Sequence, residues 1–317
     1  MVMGATAIRL GFVGFGEAAG LFAAGLAAAG IGPLVAVDPA AADSTARQRL
    51  LERAGAATVD LAADASRLAA ATVVFCLVPA PVDRAATRSA APHIAPGALW
   101  VDFSSTSPED KRACAAIVAA AGGRYLDAAI LGSVPTSGHR VPVIVCGEGA
   151  ADFAAAFNRF GMAIAPVEGP IGTAAGVKLV RSILAKGLEA LWVEALLVAR
   201  GAGVLDAVLD DFCGFLDARP ARATAELLVE SHPIHAARRA DEVRLSRDIV
   251  LAVGIAPTLT DAIVARLEAT AATGVADKLA GRPPADLATA LAVLAEAGAP
   301  RSDDLAIPPP DGPRSSR

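Results

Sequence analysis

The stretch of residues 8–20, IRLGFVGFGEAAG, constrains the fold most strongly, because it joins an apolar run, a glycine-rich turn and an alanine-rich segment. The apolar run is typical of a strand that is buried on both faces. Gly14-x-Gly16-x-x-Ala19 follows it at the spacing of a dinucleotide-binding fingerprint. In such a turn Gly14 allows the sharp bend, Gly16 lets the backbone approach a pyrophosphate, and Ala19 lets the helix pack on the strand.

An acidic residue stands where this fingerprint requires one. Asp38 ends a second apolar segment, residues 34–37, and lies 22 residues after Gly16. In dinucleotide-binding domains the acid that binds the adenosine ribose lies about 20 residues after the glycine turn, which is close to this spacing. Asp38 would repel a 2′-phosphate, and no arginine follows it before Arg47, so we expect NAD in preference to NADP. The alternative interpretation of Asp38 is a turn residue before Pro39.

Composition excludes several classes of partner. The chain has 317 residues, 54% of them apolar, which is enough to form about two domains with substantial cores. The net charge is −5 and the basic residues are scattered, so neither a nucleic acid nor an anionic membrane surface is expected as a partner. Arg9 and Glu17 interrupt the N-terminal apolar segment before it becomes a signal peptide. We therefore expect a cytoplasmic protein.

The cysteine and histidine spacings do not predict a metal site. Four cysteines lie far apart without any C-x-x-C spacing, which is typical of reduced thiols, three of them in core-like settings. His232-x-x-His235 has a spacing seen in metal sites, but we expect Pro233 to break the helix, and no carboxylate accompanies the pair. No metal is expected.

The first half of the chain alternates strand and helix patterns. Ser107 and Pro108 have the positions of an N-cap and a first helical residue. Alternation of this kind predicts a doubly wound, mostly parallel α/β sheet of the Rossmann type, with a ligand crevice at the carboxyl ends of its strands. Helices are expected over residues 43–54 and 66–70, and strands over residues 72–77, 99–103, 125–129, 141–146 and 162–167.

The second half has an all-helical pattern. Residues 171–200 form one long helical pattern without proline, and further helical segments follow, separated by Pro220, Pro233, Pro257 and Pro283–Pro284. We place a dinucleotide-binding domain at residues 1–168 and an all-α substrate and dimerisation domain at residues 169–300. Residues 301–317 are rich in proline and serine and are expected to be a disordered tail.

Three motifs together resemble a known superfamily. They are residues 11–16 (GFVGFG), residues 102–108 (DFSSTSP) and residues 172–178 (GTAAGVK). In this order they resemble the β-hydroxyacid dehydrogenase and 6-phosphogluconate dehydrogenase superfamily. The resemblance implies a Rossmann domain, an all-helical C-terminal domain and a dimer whose active sites lie between domains. It also implies a catalytic lysine on the long interdomain helix, and Lys178 falls in that place.

The chemistry of Lys178 is consistent with this role. An ammonium group beside a substrate hydroxyl or carbonyl polarises it and exchanges its proton. On a helix, Lys178, Arg181 and Ser182 share one face, which would bring two cations and a hydroxyl together. The alternative interpretation is an ordinary solvated basic face.

Departures from the family pattern concern the substrate. Relatives usually carry asparagine where this chain has Arg181. The family loop Asp-Ala-Pro-Val-Ser-Gly-Gly is DAAILGS here, residues 127–133, so that Leu131 replaces a serine that helps to hold a carboxylate and Gly132 follows it. The glutamate that acts as an acid in decarboxylating phosphogluconate enzymes corresponds to Ala185. The expected substrate is therefore not 6-phosphogluconate.

A basic segment in the helical half offers a compensating anion site. Residues 235–242 read HAARRADE, and they resemble a poorly characterised phosphogluconate-dehydrogenase-like subgroup in which His-Ala-Ala-Arg-Arg recurs. Arginine suits carboxylate or phosphate, so Arg181 and Arg239 are expected to take over the lost serine contact. A surface charge run, with Asp241 and Glu242 as helix partners, is the alternative.

We interpret the chain as an NAD(P)-dependent oxidoreductase that transfers a hydride between a nicotinamide cofactor and a small anionic hydroxy acid, with Lys178 as acid/base. Imine reduction, which on this fold typically accompanies loss of the lysine, and a nucleotide-binding regulatory protein without turnover are the alternatives. Predicted substrate-binding residues are Ser104, Ser105, Gly132, Arg181, Ser182, His235 and Arg239. Predicted cofactor-binding residues are Gly14, Phe15, Gly16, Glu17, Ala18, Asp38, Val78, Pro79 and Ser105.

The long helical pattern also predicts self-association. Its apolar residues spread around more than one face, which exceeds what contact on one side requires. We expect a homodimer through the helical domain.

Overall fold

The computed structural model describes residues 8–298, so the predicted tail lies outside the described residues. The chain forms two compact units, Met1–Leu184 and Ala185–Arg317. The division falls inside a long helix, Thr173–Gly201, whose first three turns belong to the first unit. The domain limits expected from the sequence remain a prediction.

The first unit is built on a doubly wound, mostly parallel sheet of eight strands, as predicted. In sheet order the strands run β3-β2-β1-β4-β5-β6-β7-β8, and every neighbouring pair is parallel except β6 with β7. The strands are β1 Leu10–Val13, β2 Leu34–Val37, β3 Val59–Ala62, β4 Val73–Cys76, β5 Leu99–Asp102, β6 Arg124–Ile130, β7 Pro142–Cys146 and β8 Ala163–Pro166.

Helices connect these strands and make up the second unit. The helices are α1 Glu17–Ala28, α2 Ser44–Glu52, α3 Asp83–Ala90, α4 Pro108–Ala120, α5 Val134–Ser137, α6 Ala150–Asn158, α7 Thr173–Gly201, α8 Leu205–Asp217, α9 Ala221–Ala252, α10 Thr258–Ala272, α11 Val275–Lys278 and α12 Leu287–Glu296. The expected start of α4 is confirmed, because the Ser107 hydroxyl accepts a hydrogen bond from Asp110 N at 3.1 Å and Pro108 is the first helical residue.

Two local expectations differ from the structure. The strand β3 was not predicted, because its Val-Asp-Leu-Ala segment is short and lies between alanine-rich stretches. Residues 66–70, expected to be an α-helix, belong to a 3₁₀ helix, Ala65–Ala70, whose first turn is tied by Asp64 accepting from Ser66 N.

The core of the first unit fixes the central strands from both sides. Residues of β1, β4 and β5 are buried throughout, as expected for a parallel sheet that is covered on both faces. Phe75 lies at the centre of an aromatic cluster, and its ring centroid is 4.9 Å from that of Phe103 in a T-shaped arrangement. The loops at the carboxyl ends of these strands are therefore mounted on a rigid base.

The expectation that Pro233 breaks a helix is wrong. It lies inside α9, which continues from Ala221 to Ala252. A proline removes one backbone hydrogen bond and crowds the preceding turn. The 32-residue helix nevertheless continues on both sides of Pro233, whose ring is buried. His232 and His235 thus share one helix, and His232 Nε2 lies 2.9 Å from Thr270 Oγ1 on α10.

One carboxylate organises the start of α10 in the second unit. Glu194 accepts hydrogen bonds from Leu259 N and Thr260 N, each at 2.8 Å, and from Thr260 Oγ1 at 2.6 Å. Burial raises the pKa of Glu194, but these hydrogen bonds outweigh it and leave the pKa below its ordinary value. The interaction is a helix N-cap supplied by another helix.

Membrane insertion through a helix is not indicated in the part of the chain that the structure describes. Across residues 8–298, none of the helices combines the length and apolar character needed to span a bilayer.

Candidate active site

A cleft of about 600 Å³ opens at the carboxyl ends of β1, β2 and β4. Gly14 has φ of +78°, and a Cβ there would lie 2.6 Å from Val78 Cγ1, so this turn requires glycine. A Cβ at Gly16 would meet nothing within 4 Å, which leaves open space in front of the N-terminus of α1. Backbone N–H groups and the helix dipole favour a phosphate at such a place, so these residues fit a dinucleotide. Asp38, Val78 and Pro79 line the same cleft.

Asp38 is held by two backbone amides. Its Oδ2 accepts from Phe15 N and its Oδ1 from Ala40 N, both at 2.9 Å. The Phe15 side chain is fully buried in the core, and its amide is already donated to Asp38. Arg47 Nε donates to Leu61 O at 3.2 Å, which ties this arginine to strand β3. Glu17 and Ala18 form the first turn of α1 beside the cleft.

The two predicted serines in the loop after β5 have different surroundings. Ser104 is buried, and its hydroxyl lies 3.4 Å from Val78 N, which donates to it. This hydrogen bond joins the loop after β5 to the loop after β4, and the contact of Ser104 with substrate remains a prediction. Ser105 is exposed, and its hydroxyl oxygen accepts from Lys178 Nζ at 2.5 Å. The structure thus brings together Ser105 and Lys178, which are 73 residues apart in the sequence.

The first turn of α7, which precedes Lys178, is anchored to the sheet. Gly172 N and Ala175 N both donate to Asp127 Oδ2 at 3.1 Å, so a carboxylate from β6 caps the helix. A Cβ on Gly172 would lie 2.9 Å from Pro108 Cβ, which shows how closely the starts of α4 and α7 approach. Asp127 had been expected only as the first residue of the family loop, residues 127–133.

Lys111 was also missed. Its side chain is completely buried, and Nζ lies 2.7 Å from the Asp102 carbonyl oxygen and 3.0 Å from Asp102 Oδ1. Asp127 Oδ1 lies 3.6 Å from the same nitrogen, the distance of an ion pair rather than of a hydrogen bond. The sequence spacing could have indicated that Lys111 is buried. Lys111 lies three residues before Cys114 and seven before Val118, which places all three on the buried face of α4.

A third buried acid lies near Lys111, Asp102 and Asp127. Asp83 is fully buried, with Oδ1 3.8 Å from Cys76 Sγ and Oδ2 3.7 Å from Cys114 Sγ. Burial and then the charge of Asp102 raise the pKa of Asp83 to about 6. Burial likewise raises the pKa of the Cys76 thiol well above its ordinary value, so this thiol is unsuited to nucleophilic chemistry at neutral pH.

The same region contains a group of potential metal ligands. Cys76, Asp83 and Asp102 each place one ligand atom within 4.8 Å of the others. The Lys111 ammonium already lies 3.0 Å from Asp102 Oδ1, so the local cation is a side chain of the protein itself.

The remaining predicted substrate residues are distributed over both units. In the first unit Arg181 is exposed and Ser182 is half-buried on α7, and Gly132 is exposed just after β6. In the second unit His235 is half-buried, and Arg239 Nη2 donates to Ser231 Oγ at 2.9 Å. The neighbouring Arg238 forms an ion pair with Glu242, as expected if this segment is a run of surface charges with Glu242 as a helix partner. Substrate contacts by these residues remain predictions.

The chain has the NAD(P)-binding oxidoreductase fold that is also found in 3-hydroxyacid dehydrogenases and imine reductases. More particularly, residues 9–165 match the family model described as the NAD binding domain of 6-phosphogluconate dehydrogenase. Residues 199–270 match a domain of unknown function, DUF1932. The two matched stretches follow one another along the chain. No curated protein shows significant similarity to the chain.

Solved structures share this architecture over most of the chain. A conserved hypothetical protein from Sinorhizobium meliloti is 29% identical, covers 92% of this chain and 97% of its own length, and has a TM-score of 0.60. A conserved protein of unknown function, described as structurally similar to 3-hydroxyacid dehydrogenases, is 28% identical, with 84% and 98% coverage and a TM-score of 0.56. An imine reductase variant from Myxococcus stipitatus in complex with NAD⁺ is 18% identical, with 91% and 100% coverage and a TM-score of 0.70, and shows the fold alone.

The raised pKa of Asp83 predicts a pH-dependent stability. An acid whose pKa rises on folding from 3.8 to about 6 contributes its full stabilisation of the folded state only below pH 4, where it is protonated in both the folded and the unfolded state. This contribution is lost as the pH rises from about 4 through about 6, and at about 1.36 kcal/mol per pH unit it amounts to about 3 kcal/mol. Asp83→Asn is therefore expected to raise the free energy of unfolding at pH 8 by up to about 3 kcal/mol, with little difference near pH 4.

Urea unfolding at pH 4, 6 and 8 measures this effect. The buried Trp100 reports on the first unit once Trp192 of the second unit is replaced by phenylalanine in both proteins. A difference between Asp83→Asn and its parent that does not change with pH would contradict the assignment.

Proposed function

We propose that the protein is an NAD(P)-dependent dehydrogenase of a small hydroxy acid and that Lys178 is its acid/base. The observation that carries this proposal is the hydrogen bond from Lys178 Nζ to the exposed Ser105 hydroxyl, in the loop that follows β5. Both groups belong to the first unit, which also contains the dinucleotide cleft.

A short series of contacts connects this pair to the cleft. Ser105 follows Ser104, whose hydroxyl accepts from Val78 N at 3.4 Å, and Val78 lines the cleft beside Gly14. The loops after β1, β4 and β5 therefore adjoin one another at the carboxyl edge of the sheet. In doubly wound folds ligands bind along this edge. We therefore assign the cofactor to the cleft and the reaction to the adjoining Lys178–Ser105 pair.

The chemistry follows from the two side chains. A bound nicotinamide cofactor would accept or supply the hydride. The Lys178 amine takes the hydroxyl proton of the substrate when the alcohol is oxidised, and its ammonium returns a proton when the carbonyl is reduced. The Ser105 hydroxyl holds the amine by accepting one of its hydrogens, which leaves others for the substrate. Arg181, three residues further along α7, offers a planar cation for a carboxylate.

Replacing Lys178 tests the acid/base assignment. Lys178→Met removes the proton donor at nearly constant length, and kcat is expected to fall by a factor of about 10² to 10⁴. The Kd for NAD should stay within about a factor of two, because the residue is not part of the cleft. The assay is spectrophotometric turnover on a panel of C3 to C6 hydroxy acids and their oxidised forms, with Lys186→Met, an exposed lysine on the same helix, as the matched control.

The same panel separates the alternative functions. Cyclic imines are included because imine reductases share the fold, and turnover of imines alone would favour that activity. Binding of NAD without turnover of any substrate by the wild-type protein would favour a regulatory protein. A Lys178→Met variant that keeps more than a tenth of wild-type activity would remove Lys178 from the acid/base role.

Asp38 is proposed to favour NAD over NADP. Its carboxylate lines the cleft, and a 2′-phosphate placed there would meet a like charge. The amide in Asp38→Asn keeps an acceptor for Phe15 N but lacks the charge, so NADP binding should strengthen by about tenfold, the equivalent of about 1.4 kcal/mol. Calorimetric titration with both cofactors measures this, with Asp43→Asn, an N-cap acid on the neighbouring helix, as the control. Tighter binding of NADP than NAD by the wild-type protein would contradict the proposal.

The exposed apolar surface of α7 supports a homodimer. Exposed fractions along this helix include 72% for Ile183, 56% for Val193 and 50% for Leu197. So many exposed large apolar side chains on one helix are unusual on a monomer, and a second copy of the chain, presenting the same helix, would cover them.

Sedimentation velocity tests the association. The wild-type protein at micromolar concentration is expected to sediment as a dimer, and Val193→Glu/Leu197→Glu as a monomer, because two buried carboxylates oppose the contact. Leu291→Glu alters an exposed leucine on α12 and serves as the control. A monomeric wild-type protein would exclude the dimer.

A further inference from the structure

The proposed reaction leaves one buried charged group without a role. The Lys111 ammonium lies between two carboxylates from neighbouring strands, 3.0 Å from Asp102 Oδ1 and 3.6 Å from Asp127 Oδ1. All three side chains are inaccessible to solvent. We refer to Asp102, Lys111 and Asp127 as the charged cluster.

Each carboxylate of the charged cluster also holds a backbone segment of the candidate site. Asp102 Oδ1 accepts from Ser104 N at 2.8 Å, one residue before Ser105. Asp127 Oδ2 accepts from Ala175 N at 3.1 Å, three residues before Lys178. Because both carboxylates are bound to one ammonium, the serine loop and the first turn of α7 are fixed to a common point.

Stability alone is a weak reason for such a cluster. Replacing buried ion pairs by apolar side chains is often neutral or stabilising, because burial removes the hydration of each charge. Close packing already joins α4 to α7, since a Cβ on Gly172 would be 2.9 Å from Pro108 Cβ. Packing alone does not fix how the serine loop and the first turn of α7 are aligned. The directional hydrogen bonds to Asp102 and Asp127 fix that alignment.

We propose that Lys111 and Asp127 are positioning residues that keep Lys178 aligned with Ser105. This inference rests on the proposed function for its catalytic meaning, but the alignment itself can be measured without a substrate. Lys111 acts through Asp102 on the serine loop and through Asp127 on α7. Loss of either link frees the Lys178 amine from a fixed position.

Chemical labelling of lysine measures that alignment. The chain has four lysines, of which Lys111 is buried and Lys278 is exposed on α11, so Lys278 provides an internal reference. An acetylating reagent of low molecular weight is applied, and peptide mass spectrometry gives the ratio of the Lys178 rate to the Lys278 rate. In Asp127→Asn, and separately in Lys111→Met, this ratio is expected to rise by about threefold or more. The reason is that each change removes a link in the network that holds the Lys178 amine in position.

A matched variant controls for loosening of a helix cap in general. Glu194→Gln makes the same acid-to-amide change in a carboxylate that accepts from two backbone N–H groups at the start of α10. Its labelling ratio should equal that of the wild type. Two test variants are used so that one suffices if the other does not fold, and circular dichroism verifies folding in each.

Kinetics provide a second readout. With a substrate from the panel, Asp127→Asn should lower kcat about tenfold and leave the KM for NAD within about twofold, because none of the three residues of the charged cluster lines the cleft. An unchanged labelling ratio in a folded Asp127→Asn or Lys111→Met variant would overturn the inference, whatever the activity. A raised ratio in a protein whose wild type turns over no substrate would instead support the positioning role while the proposed function fails.

Discussion

The common direction of the strands is the constraint on which the rest of the first unit depends. The strands from β3 to β6 are all parallel, so their carboxyl ends lie along one edge. The glycine turn after β1, Asp38 after β2, Val78 after β4 and Ser105 after β5 are brought together only for this reason. Antiparallel pairing would send alternate loops to opposite edges. The common direction of these strands thus determines where the candidate site lies as well as how the sheet is built.

Much of this arrangement was predictable because it depends on local patterns. Glycines in a turn, an acid after a strand and a serine before a proline each have a local steric or hydrogen-bonding reason. The long helix α7 and the position of Lys178 follow from periodicity and a resemblance to known motifs. These features need no knowledge of what the chain packs against.

The features that were missed depend on distant partners. Lys111 and Asp127 are charged residues, which on average are expected at the surface, and only their mutual placement across α4 and β6 makes burial tolerable. Pro233 was assigned to a helix break from its local effect, but the long helix α9 accommodates its ring. Ser104 and Ser105 are neighbours of the same type, and only the packing of their loop decides which hydroxyl is buried.

The cap on α7 bears on how the chain can be divided into autonomous parts. This helix has no acidic residue in its own first turn, and the compensation for its dipole comes from Asp127 on β6. A fragment that stops at residue 168 would keep the buried Asp127 carboxylate but lose the two amides that it accepts from. A fragment that extends to Leu184 keeps both, in agreement with the limit of the first compact unit. The start of the helix therefore belongs, in the energetic sense, to the sheet that precedes it.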